Sequence, residues 1–297
     1  MSTDVNALVY TTRRSPRFCY CCFPPYTLLN ANMVETHRVY PFIEGSYRPQ
    51  MDFTTSIKSI IYLHNQSLNI WTHLFGVILF SYTAICHFLD DDKQHLRSTF
   101  IDFSLSITFF TSCILMLSLS AIYHIFEPVN KTVYGITLSC DLLGTALSIM
   151  GSTIYGIWIV MRCLPIYRNV YIVVVLLSCS GMILVATNTA WRNDLRIVIP
   201  TFGLGTASGL VPAFHFAALY GTENFQGETT LACVFSALGV MIIGISIFIM
   251  RYPERKYIRT FDIIGSSHQW WHICVMLSPY ILYQGLIQAI GICPDQS

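Results

Sequence analysis

The sequence predicts an all-α membrane protein: a seven-transmembrane helix bundle with a cytoplasmic N-terminus and a lumenal or extracellular C-terminus. Three observations carry that prediction. Of the 297 residues 54% are apolar, only 11% are charged, and the apolar residues gather in seven long runs. A soluble domain carries roughly 25% charge, so this chain has too few charges to cover a water-facing surface. The net charge of +1 also lacks the strong positive excess that phosphate backbones attract, and no nucleic-acid partner is expected.

Residues 1–51 read as a cytoplasmic segment. Met1 to Arg17 is polar, holds three arginines and has no apolar core of the signal-peptide kind. The first membrane helix is therefore expected to act as its own insertion signal. Residues 52–69 read as an interfacial amphipathic helix, with Ile57, Ile60, Ile61 and His64 on one face; a plain juxtamembrane connector is the alternative. The transmembrane domain, 70–292, contains spans at about 70–89, 100–126, 133–159, 170–189, 196–220, 229–250 and 263–291. Each exceeds the roughly 18–20 residues that cross about 30 Å of hydrocarbon. Connections are short, so neighbouring helices should run antiparallel. Residues 293–297 form a short lumenal tail.

Orientation follows from the basic residues. With the N-terminus inside, thirteen of the seventeen Lys and Arg residues fall on cytoplasmic segments and four on outer ones, as the positive-inside rule requires. This is the reverse of the G-protein-coupled receptor orientation. The sequon Asn65-Gln66-Ser67 then lies inside and should stay unglycosylated. Cys163 and Cys293 both fall outside and are candidates for a disulfide. Cys19, Cys21 and Cys22 read as reduced thiols in the tail, with palmitoylation or metal binding as alternatives.

Four ionisable residues sit in or at the edge of apolar runs: His124, Asp141, His268 and His272. Such residues mark functional sites in membranes, because their desolvation must be compensated. His268 and His272 are four apart and share one helix face. The topology, derived from Lys and Arg alone, puts all four in the cytoplasmic half, with Asp141 roughly 12 Å deep at about 1.5 Å per residue. Three imidazoles and a carboxylate suit a zinc ion with a bound water; helix–helix hydrogen bonding is the other reading. His73 lies near the same entrance. His87 is on the opposite side, and His215 reads as structural.

These residues also carry a resemblance. Asn65-Gln66-Ser67-Leu68-Asn69-Ile70-Trp71-Thr72-His73, Ser120-x-x-x-His124, Asp141, Val211-Pro212-x-x-His215, Pro253-Glu254-Arg255 and His268-x-x-x-His272 resemble the ordered motifs of the progestin and adipoQ receptor family, relatives of the adiponectin receptors. The likeness covers about residues 45–292. It implies a seven-helix bundle with zinc held by His124, His268 and His272, and Asp141 holding the zinc-bound water. The Gly265-Ser266-Ser267-His268-Gln269 run, Ile57-Lys58-Ser59 and Cys293-Pro294-Asp295 are similar to a Golgi-resident branch that traps Raf kinase. That branch implies a Golgi membrane location, with plasma membrane and endoplasmic reticulum as alternatives, and a cytoplasmic kinase partner such as Raf. Adiponectin-receptor relatives are linked to ceramide hydrolysis, which makes a lipid amide a candidate substrate or ligand and Asp141 a candidate catalytic residue. Receptor or membrane tether, and zinc-dependent lipid hydrolase, both stay open. Two departures touch no proposed ligand: Gln66 stands where the family has Glu, and Lys256-Tyr257-Ile258 follows Pro-Glu-Arg.

Overall fold

The computed structural model describes residues 24–90, 98–220 and 225–289; Cys19, Cys21, Cys22 and Cys293 lie outside them. The described residues form nine α-helices: α1 Phe53–Lys58, α2 Ser67–Leu89, α3 Phe100–Phe126, α4 Lys131–Val160, α5 Pro165–Thr187, α6 Leu195–Ala207, α7 Leu210–Tyr220, α8 Phe225–Met250 and α9 Ser267–Leu286. Six segments are long and apolar enough to cross a membrane: α2, α3, α4, α5, α6 with α7, and most of α8. The 20-residue α9 packs against α8, α2 and α4; its first two turns carry Ser267, His268, Gln269 and His272, which lower its hydropathy.

Helix α2 shows what a lipid environment asks of a sequence. Phe75, Ile78, Tyr82, Ile85 and Leu89 are exposed, in steps of three and four. Besides Ser67 and Ile70, the buried row is Asn69, His73, Gly76, Phe80, Thr83 and His87, again in steps of three and four. Apolar residues face outward and polar ones inward, the reverse of a soluble amphipathic helix, because lipid rewards an apolar exterior and polar groups must find partners inside.

The most extensive helix pair is α3 with α4, and small residues let it close. A Cβ at Gly144 would meet the Met116 Cα at 3.0 Å, and one at Gly151 would meet the Ser112 Oγ at 2.5 Å. Close backbone approach of this kind replaces the hydrophobic drive that helices lack in lipid. An aromatic core of Phe80, Phe109, Phe110, Tyr155 and Tyr283 fills the half of the bundle away from the three histidines. At that end Asp102 accepts from Trp158 Nε1 at 2.7 Å and Arg162 at 3.0 Å, and His87 Nδ1 lies 3.1 Å from the Tyr283 hydroxyl.

Two elements differ from the sequence-based expectation. The fifth run, read as one helix over 196–220, is interrupted at Ser208-Gly209. Pro212 is the reason: it has no N–H for the Ser208 carbonyl, and its ring crowds that carbonyl. The interfacial helix expected over 52–69 is shorter. Asp52 caps α1 by accepting from Thr55 N at 2.7 Å, a 3-10 turn follows at Ser59–Ile61, and helical geometry ends at Tyr62. Ser67 Oγ there donates to Tyr62 O and accepts from His64 N, both at 2.8 Å, an alternative to continuing the helix. Ile57 and Ile61 are exposed but His64 is fully buried, so it does not share their face. Asn65 is also buried, which gives the sequon a second reason to stay unmodified.

Cys163, between α4 and α5, is disulfide-bonded. The other six described cysteines are free, so its partner lies outside the described residues, as Cys293 does. Replacing Cys293 by serine is expected to raise by one the thiols alkylated in the denatured, unreduced protein, although the variant has one cysteine fewer. A count that falls by one assigns the bond to a different cysteine.

Candidate metal centre

Two helix ends bring the site together. His124 sits in the last turn of α3, and His268 and His272 in the first two turns of α9. The local sequence fixes the start of α9. Gly265 has φ +91°, a left-handed conformation that glycine adopts readily, and it turns the chain into Ser266. Ser266 and Gln269 form a reciprocal capping box, with Gln269 Oε1 accepting from Gly265 N at 2.5 Å and Ser266 N at 3.2 Å. The carboxylate of Glu254 accepts from Ser267 N at 2.8 Å and from the Ser267 hydroxyl, where the helix dipole favours negative charge. This gives the Pro253-Glu254-Arg255 motif a concrete role: it anchors the helix that carries two histidines.

The three imidazoles converge through the same atom. His124 Nε2 lies 3.1 Å from His272 Nε2, and His272 Nε2 lies 3.2 Å from His268 Nε2. All three ligand atoms fall within 4.8 Å of one another. Two nitrogens bound at about 2.0–2.1 Å to one tetrahedral ion stand roughly 3.3–3.4 Å apart, so the spacing fits a shared metal. His124 and His272 are buried, and His268 is partly so. The three Nδ1 atoms are buried without a hydrogen-bond partner. The arrangement can therefore hold a metal ion on three neutral imidazoles.

Aromatic rings wall the cluster. The rings of Tyr40 and Phe248 stand 5.6 and 5.5 Å from that of His268, and His73 stacks on His272 with centroids 4.0 Å apart. Asp141, the fourth residue expected here, is not among the converging donors. Its side chain lies beside the Ser120 hydroxyl, one turn before His124 on α3. Ser120 and His124 lie on the same face of α3, one turn apart. His215 accepts or donates through Nδ1 to the Tyr171 hydroxyl at 2.7 Å, a structural pairing on α5 and α7. Gln66 Oε1 accepts from Asn69 Nδ2 at 2.5 Å and stays outside the cluster.

Sequence reasoning missed the layer beneath. Arg48 is fully buried and caps α3, donating to His124 O at 2.5 Å, Ile125 O at 3.0 Å and Ser59 Oγ at 2.8 Å. Glu127, also fully buried, lies 3.8 Å from both Arg38 and Arg48 and accepts from the Tyr40 hydroxyl at 3.2 Å. Burial pushes the Glu127 carboxyl up from its usual range, and the two guanidiniums oppose that shift. Two cations face one carboxylate here, and the surplus positive charge rests on the terminal carbonyls of α3, where the helix dipole is negative. The sequence signal was a lone Glu three residues beyond His124, followed by Pro128.

A helical, lipid-adapted chain with three converging imidazoles defines a class of membrane protein with a histidine cluster that could hold a metal ion. Residues 61–283 match the family described as haemolysin-III related, and the chain belongs to that family, within its progestin and adipoQ receptor branch. It is 28% identical over 82% of its length to progestin and adipoQ receptor-like protein 1 of Caenorhabditis elegans, covering 56% of that protein. It is 29% identical over 82% of its length to the adiponectin receptor protein of Drosophila melanogaster, covering 55% of it. It is 25% identical to progestin and adipoQ receptor family member 3 of Mus musculus, over 86% of this chain and 85% of that one. The chain thus spans about half the length of the first two.

Proposed function

We propose that this chain is a receptor-like signalling protein of the adiponectin and progestin receptor type, with a zinc ion held by His124, His268 and His272 near the cytoplasmic face. In this reading α9 is a seventh span, the N-terminus is cytoplasmic, and Asp141 would orient a water held by that zinc. The convergence of three Nε2 atoms is the observation that carries it; three imidazoles with an open fourth position are a zinc donor set. The resemblance adds a Golgi membrane location and a cytoplasmic partner such as Raf kinase. Residues 24–52 bear on how such a partner would bind. Tyr47 and Arg48 are fully buried against the bundle, so this part of the segment would offer a partner a surface folded onto the helices.

The second reading is a zinc-dependent lipid amide hydrolase of the ceramidase type. What favours it is Asp141 beside Ser120, one turn from His124. Zinc supplies a bound water whose pKa falls towards about 7; Asp141 would hold that water and accept its proton. One experiment separates the readings. The purified full-length chain and its Asp141→Ala variant are incubated with ceramide, and release of free sphingoid base is followed. The receptor reading expects about one zinc per chain and equal, background-level release from both. Release by the parent that falls at least 100-fold in the variant would instead make the protein an enzyme.

A further inference from the structure

We propose that His73 is a positioning residue of the metal centre, acting through His272 by the flat face of its ring. The proposal rests on the zinc-site reading above. His73 lies on α2 in the buried row Asn69, His73, Gly76, Phe80. It is 2% exposed, and neither ring nitrogen has a hydrogen-bond partner. A buried imidazole with two idle nitrogens, next to three converging ones, invites a fourth-ligand assignment.

The ring geometry decides against that assignment. His73 and His272 are stacked, with centroids 4.0 Å apart and planes 24° from parallel. An imidazole binds a metal through lone pairs in its own plane. Two planes about 4 Å apart and tilted by 24° meet only roughly 8–9 Å away, several times the 2.0–2.1 Å of a zinc–nitrogen bond. His73 and His272 therefore cannot aim at the same ion, and the converging set contains three histidines without His73.

The face of His73 remains. His272 is the central donor of the cluster, since its Nε2 lies 3.1–3.2 Å from both of the others. Its Nδ1 makes no well-aligned hydrogen bond among the described residues, and the Asn69 backbone on α2 is its polar neighbour, whereas a ligating histidine is ordinarily oriented by a full bond from that second nitrogen. Packing therefore adds to the orientation of the His272 ring: His73 covers one face, and the ring of His124 stands edge-on at 4.7 Å. Rotation about the ring's bond to the chain would drive it into His73. The stack thus holds the His272 ring from its face, alongside the Asn69 backbone near its edge.

Two variants of similar volume isolate the face from the nitrogens. His73→Phe keeps a flat ring and removes both nitrogens; His73→Leu fills the space without a ring. Zinc affinity is measured on purified full-length protein in lipid nanodiscs by chelator competition, with the d–d absorption of the cobalt-substituted protein as a geometric signature. His73→Phe is expected to bind zinc within about threefold of the parent with an unchanged cobalt spectrum. His73→Leu should bind about 10–100-fold more weakly, the usual loss for an orienting partner, with an altered spectrum. Parent-like affinity in His73→Leu, or equal weakening in both variants, overturns the positioning role while leaving the zinc site intact. A parent chain that binds no zinc overturns the underlying reading instead.

Discussion

His268→Ala is expected to strip the protein of its metal. The parent, purified and dialysed against a weak chelator, should retain about one zinc per chain by elemental analysis, and the variant close to none. Site binding energies of about 10–16 kcal/mol, spread over four ligands, put each at roughly 2.5–4 kcal/mol, or about 10²–10³ in affinity. His268 is a clean choice. Its ring is walled by Tyr40 and Phe248 and makes no hydrogen bond except through the converging Nε2. Removing it leaves His124 and His272, still 3.1 Å apart, as a two-donor site that a chelator outcompetes. The start of α9 is unaffected, since Ser266, Gln269 and Glu254 hold it. Circular dichroism of the variant should therefore match the parent, and full retention of zinc would end the metal assignment.

The membrane segments were legible because lipid imposes an apolar exterior on every helix it touches. The stripe Phe75, Ile78, Tyr82, Ile85, Leu89 is a direct print of that demand. The histidine cluster was legible for the same reason in reverse: an ionisable group in an apolar run needs a partner, and His268 and His272 were already on one face. Asp141 lies beside Ser120 rather than among the converging donors, a distinction that spacing along one helix cannot make. The break at Ser208-Gly209 had its signal in Pro212. The burial of Arg38 and Arg48 had none in a count of basic residues, which treats each as a solvated charge on the cytoplasmic side. Both instead face Glu127 from a segment whose low periodicity read as a tail. His64 misled for a related reason: its place on an idealised helix ignored that Ser67 offers the backbone at Tyr62 and His64 another set of bonds.

Arg48→Met should be the most destabilising single change outside the spans. The side chain is fully buried and makes three hydrogen bonds, two of them to the last carbonyls of α3. Methionine fills much the same volume but leaves those carbonyls unpaired and Glu127 with Arg38 alone, at 3.8 Å. Removing one member of a buried charge set typically costs about 3–5 kcal/mol, read as a lower denaturant midpoint in detergent-solubilised protein. Because His124 O is one of the orphaned carbonyls, the same change loosens the turn that aims the His124 imidazole, and zinc affinity should fall together with stability. Adding Glu127→Gln to Arg48→Met tests the cause. If the penalty comes from an under-compensated carboxylate, the double variant regains part of the lost stability, though not all, since Arg38 then loses its counter-ion. If the cost lies only in the lost α3 cap, Glu127→Gln adds to it or leaves it unchanged. Arg48→Lys restores the charge but lacks the planar fork that reaches two carbonyls and a hydroxyl at once. It should therefore recover stability more fully than metal affinity, because charge compensation needs only a cation while the set of His124 needs that geometry.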